Sequence, residues 1–288
     1  MVFLRRLKQQ SQDRYAVFGL VRGYSKLSSK WRYSMQLLRN LSIRVSALRA
    51  HEKWDIIVLH EGNISRADQI FLKFASLGPI SFIDIGMDFV KPDHLKHSGG
   101  NGPLGYALMC RFHYLHVWKY IKDYDVAMRL DEDCFLIKAV PLGDKFGFSS
   151  AGFCPETHEP TNRTLLPFLE SINLGASYDH NFPYTNFYIT RPKPWLSQEV
   201  SQFLEMVGNQ DGSLDERWGD IPVLGVALNV FPVALGPVHQ LKQVSYIHLS
   251  HIAWVRKGEF KSVDFVIDIK RPIKTLRSIF GSPGDSQS

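Results

Sequence analysis

Short apolar runs and longer segments of helical periodicity alternate through the first half of the chain. The apolar runs have the length and composition of buried strands and lie at 15–21, 55–60, 81–85 and 125–130. Helical spacing of apolar residues predicts helices at 31–45, 67–77 and 105–121. Strands that alternate with helices predict an α/β fold with a mostly parallel central sheet flanked by helices.

The alternation weakens beyond residue 140, where we expect a strand at 184–190 and a helix from Asp220 onwards. The sequence contains no evident linker or internal repeat. A chain of 288 residues with 44% hydrophobic content can bury one substantial core. We therefore expect a single domain at 14–270, preceded by an N-terminal extension at 1–13 and followed by a C-terminal tail at 271–288.

The longest uncharged stretch, 221–238, has 18 residues and reaches the length of a membrane span. Pro222, Pro232 and Pro237 interrupt it, which favours a buried helix followed by a buried strand. The N-terminal sequence MVFLRRLKQQ is not followed by an apolar segment. We therefore expect a soluble, cytoplasmic protein, or one of the Golgi lumen if a targeting segment is missing.

The net charge of +6 is a modest basic excess. It would favour phosphate-containing ligands or peripheral association with an anionic membrane surface. The sequence has no run of Lys and Arg and no RNA-binding signature, so we expect no nucleic-acid partner.

Three consecutive acidic residues, Asp131, Glu132 and Asp133, follow the fourth predicted strand. In parallel α/β sheets, ligands bind beyond the carboxyl ends of strands. Alternate residues of an extended segment point the same way, so Asp131 and Asp133 could both ligate a hard cation such as Mn²⁺ or Mg²⁺. The alternative is a solvated turn.

The segment after the first predicted strand, FGLVRGYSK, matches neither GxGxxG nor GxxxxGK[ST]. A bound nucleotide would therefore need another way to neutralise its phosphates. A divalent ion held by the acidic residues is the economical solution.

Five segments together resemble the fungal alpha-1,2-mannosyltransferases of the Golgi, glycosyltransferase family 15. They are GYALMCRFHY at 105–114, DVAMRLDED at 125–133, YTNFYIT at 184–190, DERWGDIPV at 215–223 and SYIHL at 245–249. The resemblance covers about residues 14 to 255. It implies a GT-A fold, a manganese ion, a nucleotide-sugar donor, a glycan or glycolipid acceptor and retention of anomeric configuration.

The resemblance also implies a metal site. Asp131 lies where the family has a metal-binding Glu, Asp133 matches the acid at the end of the family's triplet, and His248 matches its late histidine. A neutral imidazole suits manganese. A buried histidine bonded to the backbone is the alternative interpretation of His248.

Glu216 and Asp220 match the ERWGD motif of the family. A carboxylate at Glu216 could stabilise oxocarbenium-like charge or take the acceptor proton, and we assign it as the catalytic residue. Asp220, with Pro222 in the first turn of its helix, is also a good helix cap.

The other candidate residues would bind substrates. Donor binding is assigned to Tyr106, Arg111, Asp131 and Asp220, and substrate binding to Tyr184, Asn186 and Trp218. Tyr106 could stack on the base and Arg111 could pair with phosphate. A core tyrosine and an ion-paired arginine remain the alternatives.

The leading hypothesis is a metal-dependent, retaining glycosyltransferase that moves mannose from GDP-mannose to a glycan hydroxyl. One alternative keeps the fold and mechanism but uses a UDP-hexose or UDP-pentose. Another is a non-catalytic sugar-binding protein on a decayed transferase scaffold, although the retained acidic residues argue against decay. A metal phosphohydrolase would need more clustered His and Asp residues.

Overall fold

The structure is a computed structural model that describes residues 13–21, 54–75, 79–132, 134–136, 147–155, 159–172, 174, 181–241, 244–248, 251–256 and 259–264. The predicted helix at 31–45, the predicted C-terminal tail at 271–288 and all but residue 13 of the predicted N-terminal extension at 1–13 lie outside these residues. The domain boundaries therefore stay predictions.

A seven-stranded sheet forms the centre of the described structure, in the order β10-β6-β9-β4-β1-β2-β3. Its strands are β1 (Tyr15–Val21), β2 (Asp55–His60), β3 (Ile80–Asp84), β4 (Val126–Leu130), β6 (Phe148–Ser150), β9 (Phe187–Thr190) and β10 (Val238–Gln240). β1 pairs in parallel with β2 and β4, β2 with β3, and β6 with β10. Only β9, which is antiparallel to β4 and β6, breaks the pattern within the described sheet. The predicted mostly parallel sheet is confirmed.

Side chains of β1 face two separate hydrophobic clusters. Ala16, Phe18 and Leu20 belong to one cluster, and Val17 and Val21 belong to the other. Successive residues of a strand point to opposite faces, so a strand buried on both faces must be apolar throughout. This explains the uninterrupted apolar run that predicted β1.

The described helices are α1 (Arg66–Ala75), α2 (Leu104–Arg111), α3 (Trp118–Ile121), α4 (Glu159–Ser171), α5 (Pro192–Trp195), α6 (Gln198–Gly208), α7 (Asp220–Val230) and α8 (Pro232–Leu235). Short 3-10 turns occur at Gly86–Asp88 and Asp211–Ser213. The helix expected at 67–77 and the helix from Asp220 are confirmed, and the segment 93–103 is a loop as expected.

Two predicted elements need correction. The helix at 105–121 is divided by a π-helical turn, Phe112–His116, in which the Val117 N–H donates to the Phe112 carbonyl at 3.0 Å. The strand expected at 184–190 begins only at Phe187. Before it, the Tyr184 N–H donates to Gly152 O at 2.9 Å, and the Asn186 carbonyl accepts the Asp131 N–H at 3.1 Å. These contacts hold the segment against the residues that follow β4 and β6.

Two smaller antiparallel sheets complete the described structure. One contains β5 (Cys134–Leu136), β11 (Ser245–His248), β12 (His251–Arg256) and β13 (Glu259–Asp264), in the order β13-β12-β11-β5. The other pairs β7 (Phe153–Pro155) with β8 (Asn181–Pro183). In the first sheet His248 is in register with Cys134. Cys134 is the residue that follows the acidic triplet in the sequence.

The uncharged stretch 221–238 contains α7, α8 and the first residue of β10. The predicted helix followed by a strand is confirmed, with the short helix α8 in between. Across the described residues, every helix is too short or too polar to span a bilayer.

Candidate functional site

A cleft of about 710 Å³ opens at the carboxyl ends of the parallel strands. Its wall includes Leu20 near the end of β1, Glu61 just after β2, and Asp131 and Glu132 just after β4. Parallel pairing brings these strand ends to one edge of the sheet. The acidic residues therefore lie where the sequence predicted a ligand site.

Arg129 lines this cleft, is only 2% exposed and contacts two carboxylates. Its Nε donates to Asp131 Oδ1 at 2.8 Å, and its Nη1 donates to Asp220 Oδ2. Burial disfavours the charge of Arg129, but Asp131 and Asp220 raise its pKa above the ordinary value. Burial likewise favours protonation of Asp220, yet Arg129 lowers the pKa of that carboxyl. The three side chains form a charged network that fixes Asp131 at the cleft wall.

Tyr106 projects from α2 into the cleft wall and is 41% exposed. The Arg217 guanidinium lies over its ring, 4.6 Å from the centroid. Arg217 has a φ of +55°, which makes it the one described non-glycine residue in the left-handed region. Its carbonyl accepts a hydrogen bond from Thr161 Oγ1 at 3.1 Å. Arg217 of the ERWGD segment is therefore held in an uncommon backbone conformation beside the cleft.

The loop 93–103 packs against the segment 211–217 through hydrogen bonds to acidic side chains. Asp211 Oδ1 accepts the Lys96 N–H at 2.9 Å, and Asp215 Oδ1 accepts the Ser98 N–H at 2.6 Å. Asn101 Nδ2 donates to Glu216 Oε2 at 3.2 Å. We name this contact surface the loop clamp.

Glu216 belongs to the loop clamp, and it is not one of the described residues that line the cleft. Its half-buried carboxylate faces Asn101 of the loop. The catalytic role assigned to Glu216 from the sequence stays a prediction.

Two further candidates lie away from the cleft wall. The buried Arg111 donates from Nε to the Gly208 carbonyl at 2.9 Å, and its Nη1 lies 2.8 Å from His116 Nε2. Trp218 is 3% exposed, and its indole N–H donates to Thr164 Oγ1 at 2.8 Å. Arg111 therefore joins α2 to the end of α6, and Trp218 joins the segment before α7 to α4.

Of the remaining candidate site residues, five line the cleft, and the side chains of the other two are not described. Tyr106, Asp131, Tyr184, Asn186 and Asp220 all line the cleft. Asp133 and the side chain of His248 are not described. Among the described side chains, no three of His, Cys, Asp or Glu gather as a metal site.

Arg129 and His113 also line the cleft and Arg217 covers Tyr106, although none of the three was predicted to be a site residue. Arg129 carried a signal, because a charged residue inside the apolar run VAMRL must be paired when it is buried. His113 and Arg217 lie in the segments GYALMCRFHY and DERWGDIPV that carry the family resemblance, but the π-helical turn and the left-handed residue that place them could not be predicted from the sequence.

Curated relatives of this chain are mannosyltransferases of yeasts. The chain is 25% identical over 176 residues to glycolipid 2-alpha-mannosyltransferase of Saccharomyces cerevisiae, a match that covers 51% of this chain and 39% of that protein. It is 28% identical over 104 residues to O-glycoside alpha-1,2-mannosyltransferase homolog 2 of Schizosaccharomyces pombe, covering 36% of this chain and 27% of that protein. The resemblance to the fungal alpha-1,2-mannosyltransferases is confirmed. The chain spans less than half the length of these relatives, and no family model matches it.

Solved structures show the same fold. Core-mannan synthase A of Aspergillus fumigatus, in its Mn/GDP form, superimposes with a TM-score of 0.68 at 14% identity, covering 85% of this chain and 77% of that one. The mannosyltransferase Ktr4p of S. cerevisiae gives a TM-score of 0.68 at 14% identity, covering 84% and 72%. The predicted GT-A-like fold is therefore confirmed.

Proposed function

We propose that this chain is a nucleotide-sugar-dependent glycosyltransferase that moves mannose from GDP-mannose to a hydroxyl of a glycan or glycolipid. The observation that carries the proposal is the cleft at the carboxyl ends of β1, β2 and β4, with Asp131 and Glu132 in its wall. The mannosyltransferase relatives and the Mn/GDP form of the structural neighbour support this donor. Neither observation favours a UDP-sugar donor or a decayed scaffold.

The chemistry of the cleft fits a divalent cation. Four acidic residues line it, and Arg129 is the one arginine or lysine among the described lining residues. A diphosphate would meet repulsion there without a cation, and carboxylate oxygens are suitable ligands for Mn²⁺ or Mg²⁺. We propose that Asp131 ligates this ion together with Asp133 and His248. When bound, the ion would neutralise the negative charge of the departing diphosphate.

The described residues would bind and orient the donor. Arg129 and Asp220 hold the carboxylate of Asp131 in place. One face of the Tyr106 ring is covered by Arg217, and the ring lines the cleft, where we propose that it stacks on the nucleotide base. Tyr184 and Asn186 would contact sugar hydroxyls. The contacts of Arg111 and Trp218 support structural roles in place of substrate contacts.

The resemblance favours retention of anomeric configuration. A retaining front-side reaction needs little help from a protein base, because a phosphate oxygen of the leaving group can take the acceptor proton. Glu216, which belongs to the loop clamp, would stabilise developing positive charge once the loop brings it toward the donor. Proton NMR of a fresh product would decide the stereochemistry, since a beta linkage from GDP-alpha-mannose would contradict retention.

The most direct test is a panel of nucleotide sugars assayed for nucleotide release with Mn²⁺, with and without mannoside acceptors. We expect acceptor-dependent release from GDP-mannose that EDTA abolishes. Release from a UDP-sugar alone, or undiminished release in EDTA, would contradict the proposal. Peripheral membrane association and the cellular compartment stay predictions.

A further inference from the structure

Two buried side chains in the cleft wall each have a nitrogen without a hydrogen-bond partner. They are His113 Nδ1 and Asn186 Nδ2. His113 is 1% exposed and Asn186 is 6% exposed. Buried polar atoms are nearly always paired, so two unpaired nitrogens in one cleft indicate a place where a ligand supplies the partners.

The orientation of the Asn186 amide is fixed by its neighbour. Tyr246 donates its hydroxyl to Asn186 Oδ1 at 3.1 Å, and the Asn186 carbonyl accepts the Asp131 N–H at 3.1 Å. Because Oδ1 is already engaged, Nδ2 is the free end of the side chain. An amide nitrogen only donates, so its missing partner is an acceptor oxygen.

His113 lies in the π-helical turn Phe112–His116, which interrupts the helix beside the cleft. Such turns often occur at functional sites, because the wider turn redirects side chains. Burial, together with the positive charge of Arg129, holds the pKa of His113 well below its ordinary value. The imidazole is therefore neutral at neutral pH and has one donor and one acceptor nitrogen.

A hydroxyl group satisfies both nitrogens better than a phosphate does. A hydroxyl both donates and accepts, so it can pair with Asn186 Nδ2 and with either tautomer of His113. A phosphate oxygen would meet an uncharged imidazole and the nearby carboxylates of Asp220 and Asp131. We infer that His113 and Asn186 bind hydroxyls of the hexose in the nucleotide-sugar donor. The inference rests on the proposed function and adds His113 as a residue that determines sugar specificity.

The first test compares GDP and GDP-mannose, each with Mn²⁺, by isothermal titration calorimetry. His113→Phe keeps a ring but removes both nitrogens. We expect it to weaken GDP-mannose binding about tenfold, the value of one good hydrogen bond, while GDP binding changes by less than about twofold. His116→Gln is the matched control, because His116 lies in the same turn but contacts Arg111 outside the cleft. We expect it to change neither affinity.

A second variant, at Asn186, tests the same inference if His113→Phe does not fold. Asn186→Leu is similar in size to asparagine, adds no charge and removes the Nδ2 donor. We expect the same selective loss of GDP-mannose binding. Tyr246→Phe is the control, because it removes the hydrogen bond to Asn186 Oδ1 and keeps the Nδ2 donor. Thermal melting of each variant would establish that it is folded before affinities are compared.

Deoxy analogues of GDP-mannose identify the hydroxyl that is bound. For one analogue, removing the hydroxyl and replacing His113 by Phe should each weaken binding, but the two losses of binding free energy should not add. Both changes remove the same contact. Full additivity with every analogue, or equal losses for GDP and GDP-mannose, would overturn the inference and leave the proposed function intact. Failure of the wild-type protein to bind GDP or GDP-mannose would overturn both.

Discussion

Arg129 is the residue whose replacement we expect to cost the most stability. Its side chain is buried between Asp131 and Asp220. Arg129→Met would leave the carboxylate of Asp220 buried without its cation, and breaking such a pair typically costs about 3–5 kcal/mol. Urea denaturation would measure the change in the free energy of unfolding.

The control for Arg129 is an ion pair on the surface. Lys193 lies 3.1 Å from Asp125, and their side chains are 68% and 39% exposed, respectively. Lys193→Met should cost less than ~1 kcal/mol, because solvent already screens this pair. Equal effects of the two substitutions would contradict the charged network proposed at the cleft.

The charge of Glu216 can be separated from its contact with Asn101. Glu216→Gln keeps an oxygen that can accept the Asn101 N–H but removes the negative charge. If the charge stabilises the transition state, turnover should fall by about 100-fold or more with GDP affinity unchanged. Steady-state kinetics and calorimetry would measure the two quantities.

Asp215→Asn is the matched variant for Glu216, since Asp215 is the neighbouring carboxylate in the loop clamp. It should affect turnover only weakly. Similar modest losses in both variants would assign Glu216 to holding the loop, and the catalytic role would then be withdrawn.

At the scale of elements, the loop clamp should depend on pH. Hydrogen bonds from Ser98 lower the pKa of Asp215 below its ordinary value. A lowered carboxyl pKa means that the contact stabilises the fold above the ordinary pKa of about 4 and is lost as pH falls through the lower, folded-state value. Hydrogen exchange at the Ser98 amide should therefore show greater opening below about pH 4. In Asp215→Asn this pH step should be absent, and its persistence would contradict the assignment.

The contact between α7 and β8 requires a glycine. A Cβ atom at Gly225 would lie 2.1 Å from Phe182 Cδ1, so Gly225→Ala should destabilise the protein by about 1–3 kcal/mol. A Cβ at Gly105, in the first turn of α2, would meet no atom within 4 Å. Gly105→Ala should therefore be neutral or stabilising by up to ~1 kcal/mol in thermal or urea unfolding. A reversed order would show that α7 and β8 do not pack as described.

Some strands of this fold could be predicted from the sequence, and others could not. Strands β1, β2 and β4 could be predicted because burial on both faces of a sheet demands continuous apolar runs. The antiparallel insertion of β9 between β4 and β6 could not, because the order of strands depends on contacts between distant segments. The Arg129–Asp220 pair joins residues 91 positions apart, so the sequence could flag the charge of Arg129 but not its partner.

The whole molecule presents an acidic cleft on a chain of net charge +6. The overall charge would attract an anionic nucleotide, but the described cleft wall has four acidic residues and only Arg129 to offset them. Nucleotide and divalent cation should therefore depend on one another for binding. This dependence can be measured through the stability of the folded chain, without any assay of turnover.

We expect GDP and Mn²⁺ together to raise the melting temperature far more than the sum of their separate effects. A ligand at 100 times its dissociation constant stabilises the native state by about 2.7 kcal/mol, whereas a nucleotide repelled by carboxylates contributes little alone. Asp131→Asn should abolish the joint effect, because it removes a proposed ligand while leaving an amide oxygen for Arg129. Lys193→Met should preserve it, because Lys193 is not among the residues that line the described cleft. Full stabilisation by GDP in the presence of EDTA would mean that the diphosphate is neutralised by the protein itself, and Asp131 would lose its role as a metal ligand.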